Sequence, residues 1–219
     1  MTSNLIKIRV AAPTALSPTF SALEVFPKWN WVFESHRGII DSFRPDVAIY
    51  YTGTLANFQG QNGVYFPVRR RLVIQKNAQD ISQISSLAEL RENMFIATFP
   101  SDNKLTYLTR GDAERFEVEP DRVFPVHDIS GAMMAVEMGL GYSALPEVIV
   151  EGLCETGEFR TLFPDWNVSD AYMVCLFDDL TISISDLSPI LLSLEGYTSS
   201  SWTALTSGSN ILSFPPVND

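Results

Sequence analysis

The sequence predicts an α/β protein with two Rossmann-like lobes that are joined by two crossover strands. Segments with strand-like and helix-like patterns alternate along most of the 219 residues, as is typical of parallel sheets covered by helices. A chain of this length accommodates two small cores side by side. Two segments, 64–75 and 170–177, have the character of strands long enough to run from one sheet into the next.

The N-terminal third is predicted to contain strands with few helices between them. Three segments have the apolar character of strands: 5–12, 29–35 and 46–52. The last of these, DVAIYYT, is typical of a strand buried in a parallel sheet. Ser17 and Pro18 indicate a helix start, because serine caps free N–H groups and proline suits the first helical position. Pro27 closes that helix early, and a short helix is predicted over 38–43.

The middle of the chain is predicted to alternate strands with helices. Strands are expected over 64–75, 95–100 and 122–128, and helices over 85–94 and 102–116. Ser85 or Ser86 with Glu89 has the spacing of a capping box at the start of the first helix. Gly111 is expected to interrupt the second helix, and the Gly- and Asn-rich segment 53–63 reads as a loop.

Residues 131–147, GAMMAVEMGLGYSALPE, predict a helix, a sharp turn and a short strand. One helical face is formed by Ile129, Met133, Val136 and Leu140. Asp128 or Ser130 can cap the helix start, and Gly139 or Gly141 can end it in the left-handed conformation. The methionines are expected to fill the interface between helix and sheet with flexible apolar side chains.

The C-terminal part continues the alternation and ends in a polar tail. A helix is predicted over 147–157, strands over 158–164 and 170–177, and a final helix over 183–197. The tail from Thr198 onward is rich in Ser, Thr and Gly. We expect it to be loosely attached.

Charge and composition exclude several classes of function. The net charge of −11 opposes binding of phosphate backbones by these residues alone. No apolar segment approaches the roughly 18 residues of a membrane span. The N-terminus lacks the pattern of a secretory signal. A cytoplasmic protein without membrane contact is therefore expected.

Few residues indicate metal or nucleophile chemistry. The sequence contains no HExxH, GxSxG or CxxC motif, and we expect neither a metal nor a cofactor. Cys154 and Cys175 are expected to be buried thiols rather than a disulfide. The triplet 69–71, Arg-Arg-Arg, is expected to be a solvated strand end, with an anion contact as the alternative.

The order of several short motifs resembles the effector-binding domain of LysR-type transcriptional regulators. They are IRVAAPT near the start, DVAIYYTG (46–53), VRRRLVIQKNA (68–78), SSLAEL (85–90), GAMMAVEMGLGYSALPE (131–147) and GEFRTLFPDWNV (157–168). Together they span most of residues 5–177. The pair GLGYSALP and GEFRTLFPDW, following DVAI at this spacing, is the most specific part.

The resemblance implies a fold like that of type 2 periplasmic binding proteins. Lobe I would comprise residues 1–70 and 175–219, and lobe II residues 71–174. A small polar or anionic effector would bind in the cleft between the lobes and change how the protomers of a homodimer or tetramer associate. DNA would be bound only through a separate winged-helix domain, which we expect to be absent from this chain.

Candidate effector contacts lie where strands end and helices begin, because ligands of open α/β sheets bind there and free N–H groups favour anions. They are Thr14, Ser17, Thr52, Ser101, Asn103, His127 and Ser130. Each could instead be a cap or turn residue that serves only its own backbone. His127 could make sensing pH-dependent, or could simply be satisfied by a backbone carbonyl. Asp128 would oppose an anion, which favours a capping role.

Two other functions fit the same fold. A solute-binding protein of a transport system would have this architecture but would be expected to carry a secretory signal. An enzyme, such as a transferase or dehydratase of amino-acid metabolism, would need an acid–base pair in the cleft. His127 and Asp128 are the only candidates for that pair, and they are too close in sequence to flank a substrate.

Overall fold

The computed structural model describes residues 6–11, 29–33, 46–78, 84–99, 106–111, 113–178, 187, 191 and 203–205. The chain divides into two compact units: unit 1 is Met1–Val68 with Tyr172–Asp219, and unit 2 is Arg69–Ala171. The lobe boundaries suggested by the sequence lie a few residues further along the chain. Two long strands, Gly63–Gln75 and Asn167–Phe177, have residues in both units.

The first three strands of unit 1 are parallel, as their apolar segments predict. They are β1 (Ile6–Ala11), β2 (Trp29–Phe33) and β3 (Val47–Thr52). β1 lies between the other two and is parallel to both. β3 is almost continuously buried, which confirms the interpretation of DVAIYYT as a parallel-sheet strand. The predicted helices that begin at Ser17 and at residue 38 lie outside the described residues.

Unit 2 contains most of the remaining elements. They are β4 (Gly63–Gln75), β5 (Met94–Ala97), β6 (Thr106–Arg110), β7 (Glu114–Val118), β8 (Arg122–Pro125), α1 (Ile129–Glu137), β9 (Tyr142–Pro146), α2 (Glu147–Glu155), β10 (Phe159–Leu162) and β11 (Asn167–Phe177). The strand order is β10-β4-β9-β5-β8, in which β5 is parallel to both β8 and β9. β4 begins and β11 ends in unit 1, where β11 pairs antiparallel with β3.

Both faces of the sheet of unit 2 are buried. On one face Leu72, Phe95 and Tyr142 belong to a core cluster that also contains Leu108 of β6 and Val118 of β7. The Tyr142 hydroxyl donates to the Leu90 carbonyl at 2.8 Å. Its burial raises the pKa of the phenol.

The opposite face of this sheet is covered by the two helices. Side chains alternate along a strand, so Val73, Ile96 and Leu145 point away from the core cluster, and all three are fully buried. α1 and α2 contact the strands there. Their own buried residues, which are Ile129, Ala132, Ala135, Val136, Ile149 and Val150, do not belong to the core cluster.

The prediction of a helix over 102–116 is wrong. Within that range the structure has the antiparallel hairpin of β6 and β7, in which Leu108 lies opposite Phe116. Gly111 has φ +59, so it supplies the left-handed residue of a tight turn instead of interrupting a helix. Leu108 is buried between less buried neighbours, and this alternation has the period of a strand.

The prediction of a helix over 85–94 is also wrong, although the Glu89 half of the predicted capping box is present. Only a 3₁₀ turn forms, at Leu87–Leu90, because β5 already begins at Met94. The Ser85 backbone N–H donates to Glu89 Oε2 at 2.7 Å. This hydrogen bond lowers the pKa of the Glu89 carboxyl.

α1 ends as the glycines predict. The N–H of Gly139 donates to Val136 O at 2.9 Å, and the N–H of Leu140 donates to Ala135 O at 3.0 Å. Gly139 has φ +73, so these bonds form a Schellman motif that satisfies two terminal carbonyls. Gly141 then approaches the Met94 backbone so closely that a Cβ atom would lie 2.2 Å from Met94 O.

The expected core role of the α1 methionines is wrong. Met134 and Met138 are exposed, and Met133 is only partly buried. The helix presents Ala132 and Ala135 to the sheet, so its buried face lies to one side of the face that the sequence suggested. Small side chains bring the helix axis near the strands, and this leaves no space there for a methionine.

Part of the C-terminal region is attached to unit 1. β12 (Thr203–Ala204) pairs antiparallel with Tyr65 and Val64 of β4. The expectation of a loose tail is therefore wrong for these residues. Leu187 and Leu191 are helical and buried, which agrees with the predicted final helix, and the rest of that helix lies outside the described residues.

Both cysteines are free thiols, as predicted, but the predicted burial is confirmed only for Cys175. Cys175 is fully buried, and this burial raises the pKa of its thiol to about 12. Cys154 is only partly buried, and its sulfur lies 3.7 Å from Thr161 Oγ1.

A glycine pair tests the close contact at the start of β9. We expect Gly141→Ala to lower the free energy of unfolding by at least about 2 kcal/mol, because the new methyl group collides with backbone. Gly152→Ala in α2, where nothing lies within 4 Å of the added carbon, should instead raise it by about 0.5–1 kcal/mol. Urea titration measures both values, and equal effects would contradict the contact.

Candidate functional site

The parallel strands of unit 2 end at one edge of the sheet. Ala97 of β5 lies beside Pro125 of β8, and Ile96 lies beside Ser143 of β9. The chain leaves all three strands in the same direction, so their carboxyl ends meet. We call this the carboxyl edge, and it is the position at which open α/β sheets bind ligands.

α1 begins at the carboxyl edge, immediately after β8. Asp128 is its N-cap and accepts a hydrogen bond from the Gly131 N–H at 2.7 Å, which confirms the predicted cap. The N–H groups of Ile129 and Ser130 belong to the first turn, where helix geometry provides no intrahelical partner. They carry the positive end of the helix dipole. This position suits the oxygen atoms of an anion or a polar molecule.

Two further polar groups lie at the carboxyl edge in buried positions. Arg70 of β4 lies opposite Pro146, the last residue of β9, and it is only 2% exposed. Its guanidinium carbon lies 5.5 Å from the centre of the Phe99 ring, in the range of a cation–π contact. Thr98, which follows β5, is also buried.

Arg71 occupies the other face of β4 and joins three elements. Its guanidinium forms an ion pair with Glu147 at 2.6 Å, at the first residue of α2. Nη1 also donates to the carbonyls of Pro164 at 2.9 Å and Trp166 at 3.3 Å. Phe163, at the start of that turn, has φ 50. A non-glycine residue rarely adopts that conformation, and Arg71 helps to hold it.

The interpretation of the arginine triplet as a solvated strand end is therefore wrong for two of its three members. Arg69 is exposed, but Arg70 and Arg71 are buried or nearly so. Arg70 continues the apolar row of Val68, Leu72 and Ile74 on one strand face. A charged residue within such a row was the sequence signal for a buried guanidinium.

The structure brings together two of the residues that the sequence singled out. His127 is exposed and Ser130 is half-buried, and both lie at the start of α1. Thr52 lies in unit 1 at the end of β3, where its hydroxyl donates to Thr54 O at 3.1 Å and accepts from Thr54 N–H at 3.3 Å. The other predicted contacts, Thr14, Ser17, Ser101 and Asn103, lie outside the described residues.

A surface pocket of about 370 Å³ lies entirely in unit 1. Asp46, Gln61, Asn62 and Asp178 supply its polar lining. It is found at the start of β3, the opposite end of that strand from Thr52. It therefore does not coincide with the site that the sequence predicts, and its two carboxylates do not favour an anion.

Within the described ranges, no group of three His, Cys, Asp or Glu side chains is arranged to hold a metal ion. None of the helices in the described part of the chain has the length and apolar character of a membrane span.

Residues 40–179 match the family model of the LysR substrate binding domain. This match covers more than half of the chain, so the protein belongs to that family. The family has the type 2 periplasmic-binding-protein-like fold, which confirms the predicted fold class and the resemblance on which it rested. A comparison with curated protein sequences gives no significant match.

Solved structures show the same fold at low sequence identity. Full-length AphB, the virulence activator of Vibrio cholerae, is 18% identical with a TM-score of 0.60, and the match covers 89% of this chain and 69% of that one. The CrgA regulatory domain of Neisseria meningitidis is 15% identical with a TM-score of 0.64, and the match covers 89% of this chain and 99% of that one. The AmpR effector domain of Pseudomonas aeruginosa is 12% identical with a TM-score of 0.62, and the match covers 89% of this chain and 97% of that one.

Two arginine substitutions test the role of Arg71. Arg71→Met removes a partly buried ion pair and two hydrogen bonds to carbonyls, so it should lower the free energy of unfolding by about 2–3 kcal/mol. Arg91→Met is the matched control, because Arg91 pairs with Asp121 on the exposed surface, where such pairs contribute less than about 1 kcal/mol. Urea unfolding compares the two variants, and similar losses would refute the role given to Arg71.

Substitutions at the start of α1 separate capping from ligand contact. Asp128→Ala should lower the free energy of unfolding by about 1 kcal/mol because the Gly131 N–H loses its acceptor. Asp128→Asn should retain most of the stability, since asparagine also caps. Ser130→Ala should change it by less than about 0.5 kcal/mol. A thermal or urea unfolding series measures all three, and a larger loss for Ser130→Ala than for Asp128→Ala would reverse the assignment.

Proposed function

We propose that this protein senses a small polar or anionic effector that binds at the carboxyl edge of unit 2. The chain is a regulatory, effector-binding domain of the LysR type. The observation that carries the proposal is the capped start of α1, which directs the first-turn N–H groups of Ile129 and Ser130 toward this edge. These donors favour oxygen atoms without requiring a charged side chain.

We assign the contacts at this edge to Ser130 and His127. Ser130 is half-buried and its hydroxyl can donate to or accept from a ligand. His127 is exposed, and we propose that it lies at the outer rim. Effector contacts at Thr14, Ser17, Thr52, Ser101 and Asn103 stay predictions from the sequence. The Thr52 hydroxyl is engaged with the Thr54 backbone.

The positive end of the α1 dipole favours an effector with negative charge, whereas the carboxylate of Asp128 opposes one. We propose that the bond from Gly131 to Asp128 moderates this opposition, so a carboxylate remains an acceptable ligand group.

We further propose that the effector acts through protomer association. LysR-type regulators are oligomeric and contact DNA through a separate domain. The large exposed apolar side chains of the described residues all lie between residues 124 and 148. Three of them, Met134, Met138 and Leu140, follow one another along α1 and the turn after it. We call these three the α1 apolar surface and assign it to contact with a second protomer.

An enzyme fits these features less well. Proteins of this family that act as LysR-type regulators are not enzymes. His127 and Asp128 were the only sequence candidates for an acid–base pair. Asp128 is engaged as the cap of α1, and the two residues are adjacent in the chain.

A thermal-shift screen with carboxylates, amino acids and aromatic acids tests the sensing function. A ligand at about one hundred times its Kd should stabilise the fold by about 2.7 kcal/mol and raise the Tm by about 5 °C or more. Ser130→Ala should weaken binding about three- to tenfold through loss of one hydrogen bond. Thr156→Ala, at the C-terminal end of α2, is the control and should bind normally.

Equal weakening of binding by Thr156→Ala would contradict effector binding at the carboxyl edge. A ligand whose affinity does not change in Ser130→Ala, or in a combined His127→Ala and Ser130→Ala variant, would do the same.

A further inference from the structure

Two methionines of α1 are exposed to a degree unusual for this residue type. Met134 is 63% exposed and Met138 is 70% exposed. They lie four residues apart, so both side chains point from the same side of the helix. Met173 in β11 is 2% exposed, and Met94 and Met133 are partly buried. The methionines of the described residues therefore differ widely in solvent exposure.

Access to solvent determines how fast a thioether is oxidised. A sulfur lone pair attacks one oxygen of hydrogen peroxide, an S–O bond forms, the O–O bond breaks and water leaves after proton transfer. The sulfur loses two electrons and the peroxide gains them. The product sulfoxide is polar and can be reduced again by methionine sulfoxide reductases.

We propose that Met134 and Met138 form a reversible oxidation site for peroxides, through which an oxidant weakens protomer association. This inference rests on the proposed function, because it uses the α1 apolar surface as a protomer contact. Oxidation replaces two apolar side chains with strongly polar groups, and burying such groups without hydrogen-bond partners is unfavourable. Peroxide reaches both thioethers in the dissociated protomer, where they are exposed, and the oxidised protomer then favours the dissociated state.

The structure separates this site from thiol chemistry. The thiol of Cys175 is fully buried and its ionisation is suppressed, so it supplies little thiolate to react with a peroxide. Cys154 is partly buried in α2. A Cys154→Ser background removes its contribution and leaves the methionines as the accessible sulfur atoms among the described residues.

Mass spectrometry after hydrogen peroxide treatment tests the first step in the Cys154→Ser chain. At a protein concentration low enough for the chain to be dissociated, Met134 and Met138 should be oxidised at least about tenfold faster than Met173, because the rate follows exposure. The same treatment in urea should remove the difference. Equal native rates at Met134, Met138 and Met173 would overturn the proposal.

Sedimentation equilibrium before and after oxidation tests the second step. We expect the dissociation constant of the oligomer to rise about tenfold or more on oxidation. In Met134→Leu with Met138→Leu, which has no thioether at these positions, the same peroxide treatment should leave the dissociation constant of that variant unchanged. Met134→Gln with Met138→Gln, which imitates the polar product, should associate weakly without any oxidant.

The outcomes distinguish the two claims. Association that persists unchanged when Met134 and Met138 are fully oxidised, or in the double glutamine variant, overturns the oxidation site and also removes the α1 apolar surface from the contact. A chain that is monomeric at all concentrations before oxidation refutes the proposed association, and the oxidation inference fails with it. Neither result contradicts the proposed effector site, because the thermal-shift screen tests effector binding separately.

Discussion

The close approach of α1 and its following turn to the sheet is the constraint on which the rest of unit 2 depends. Alanine side chains at 132 and 135 let the helix lie near the strands, and Gly141 passes the Met94 backbone at a distance that no side chain permits. Since helix and strand are joined by only a few residues, fixing the end of α1 also fixes its start. The first turn is thereby held at the carboxyl edge, where its N–H groups can meet a ligand.

The same packing explains why α1 has an apolar outer surface. Alanines satisfy the requirement for close contact, so the larger Met134 and Met138 are left on the solvent side. A monomer has little reason to expose three large apolar side chains together, whereas an assembling protein does. The proposed effector site and the surface that we assign to a second protomer thus belong to one short helix. An effector that alters the position of α1 would act on that surface directly.

Local chemistry predicted much of this architecture from the sequence. The buried strands, the Asp128 cap and the Gly139 terminus each depend on neighbouring residues, and each is present. The sequence pattern predicts a helix where the structure has the hairpin of β6 and β7, because the apolar spacing over a few residues fits both periods and Gly111 suits an interruption as well as a turn. The exposed methionines could not be foreseen, because which helix face is buried depends on the space that the sheet leaves. Arg70 and Arg71 were misjudged because a charged triplet normally indicates solvent, and only tertiary packing encloses it.

Backbone amide NMR of the ¹⁵N-labelled protein, titrated with an effector that raises its Tm, tests the central claim most directly. The account predicts that the amide signals of Ile129 and Ser130 shift with the effector concentration, with the midpoint that thermal shift gives, because these N–H groups donate to the ligand. Signals at the far end of α2, such as that of Glu155, should stay in place. Saturation of the protein with no change at Ile129 and Ser130 would contradict the account.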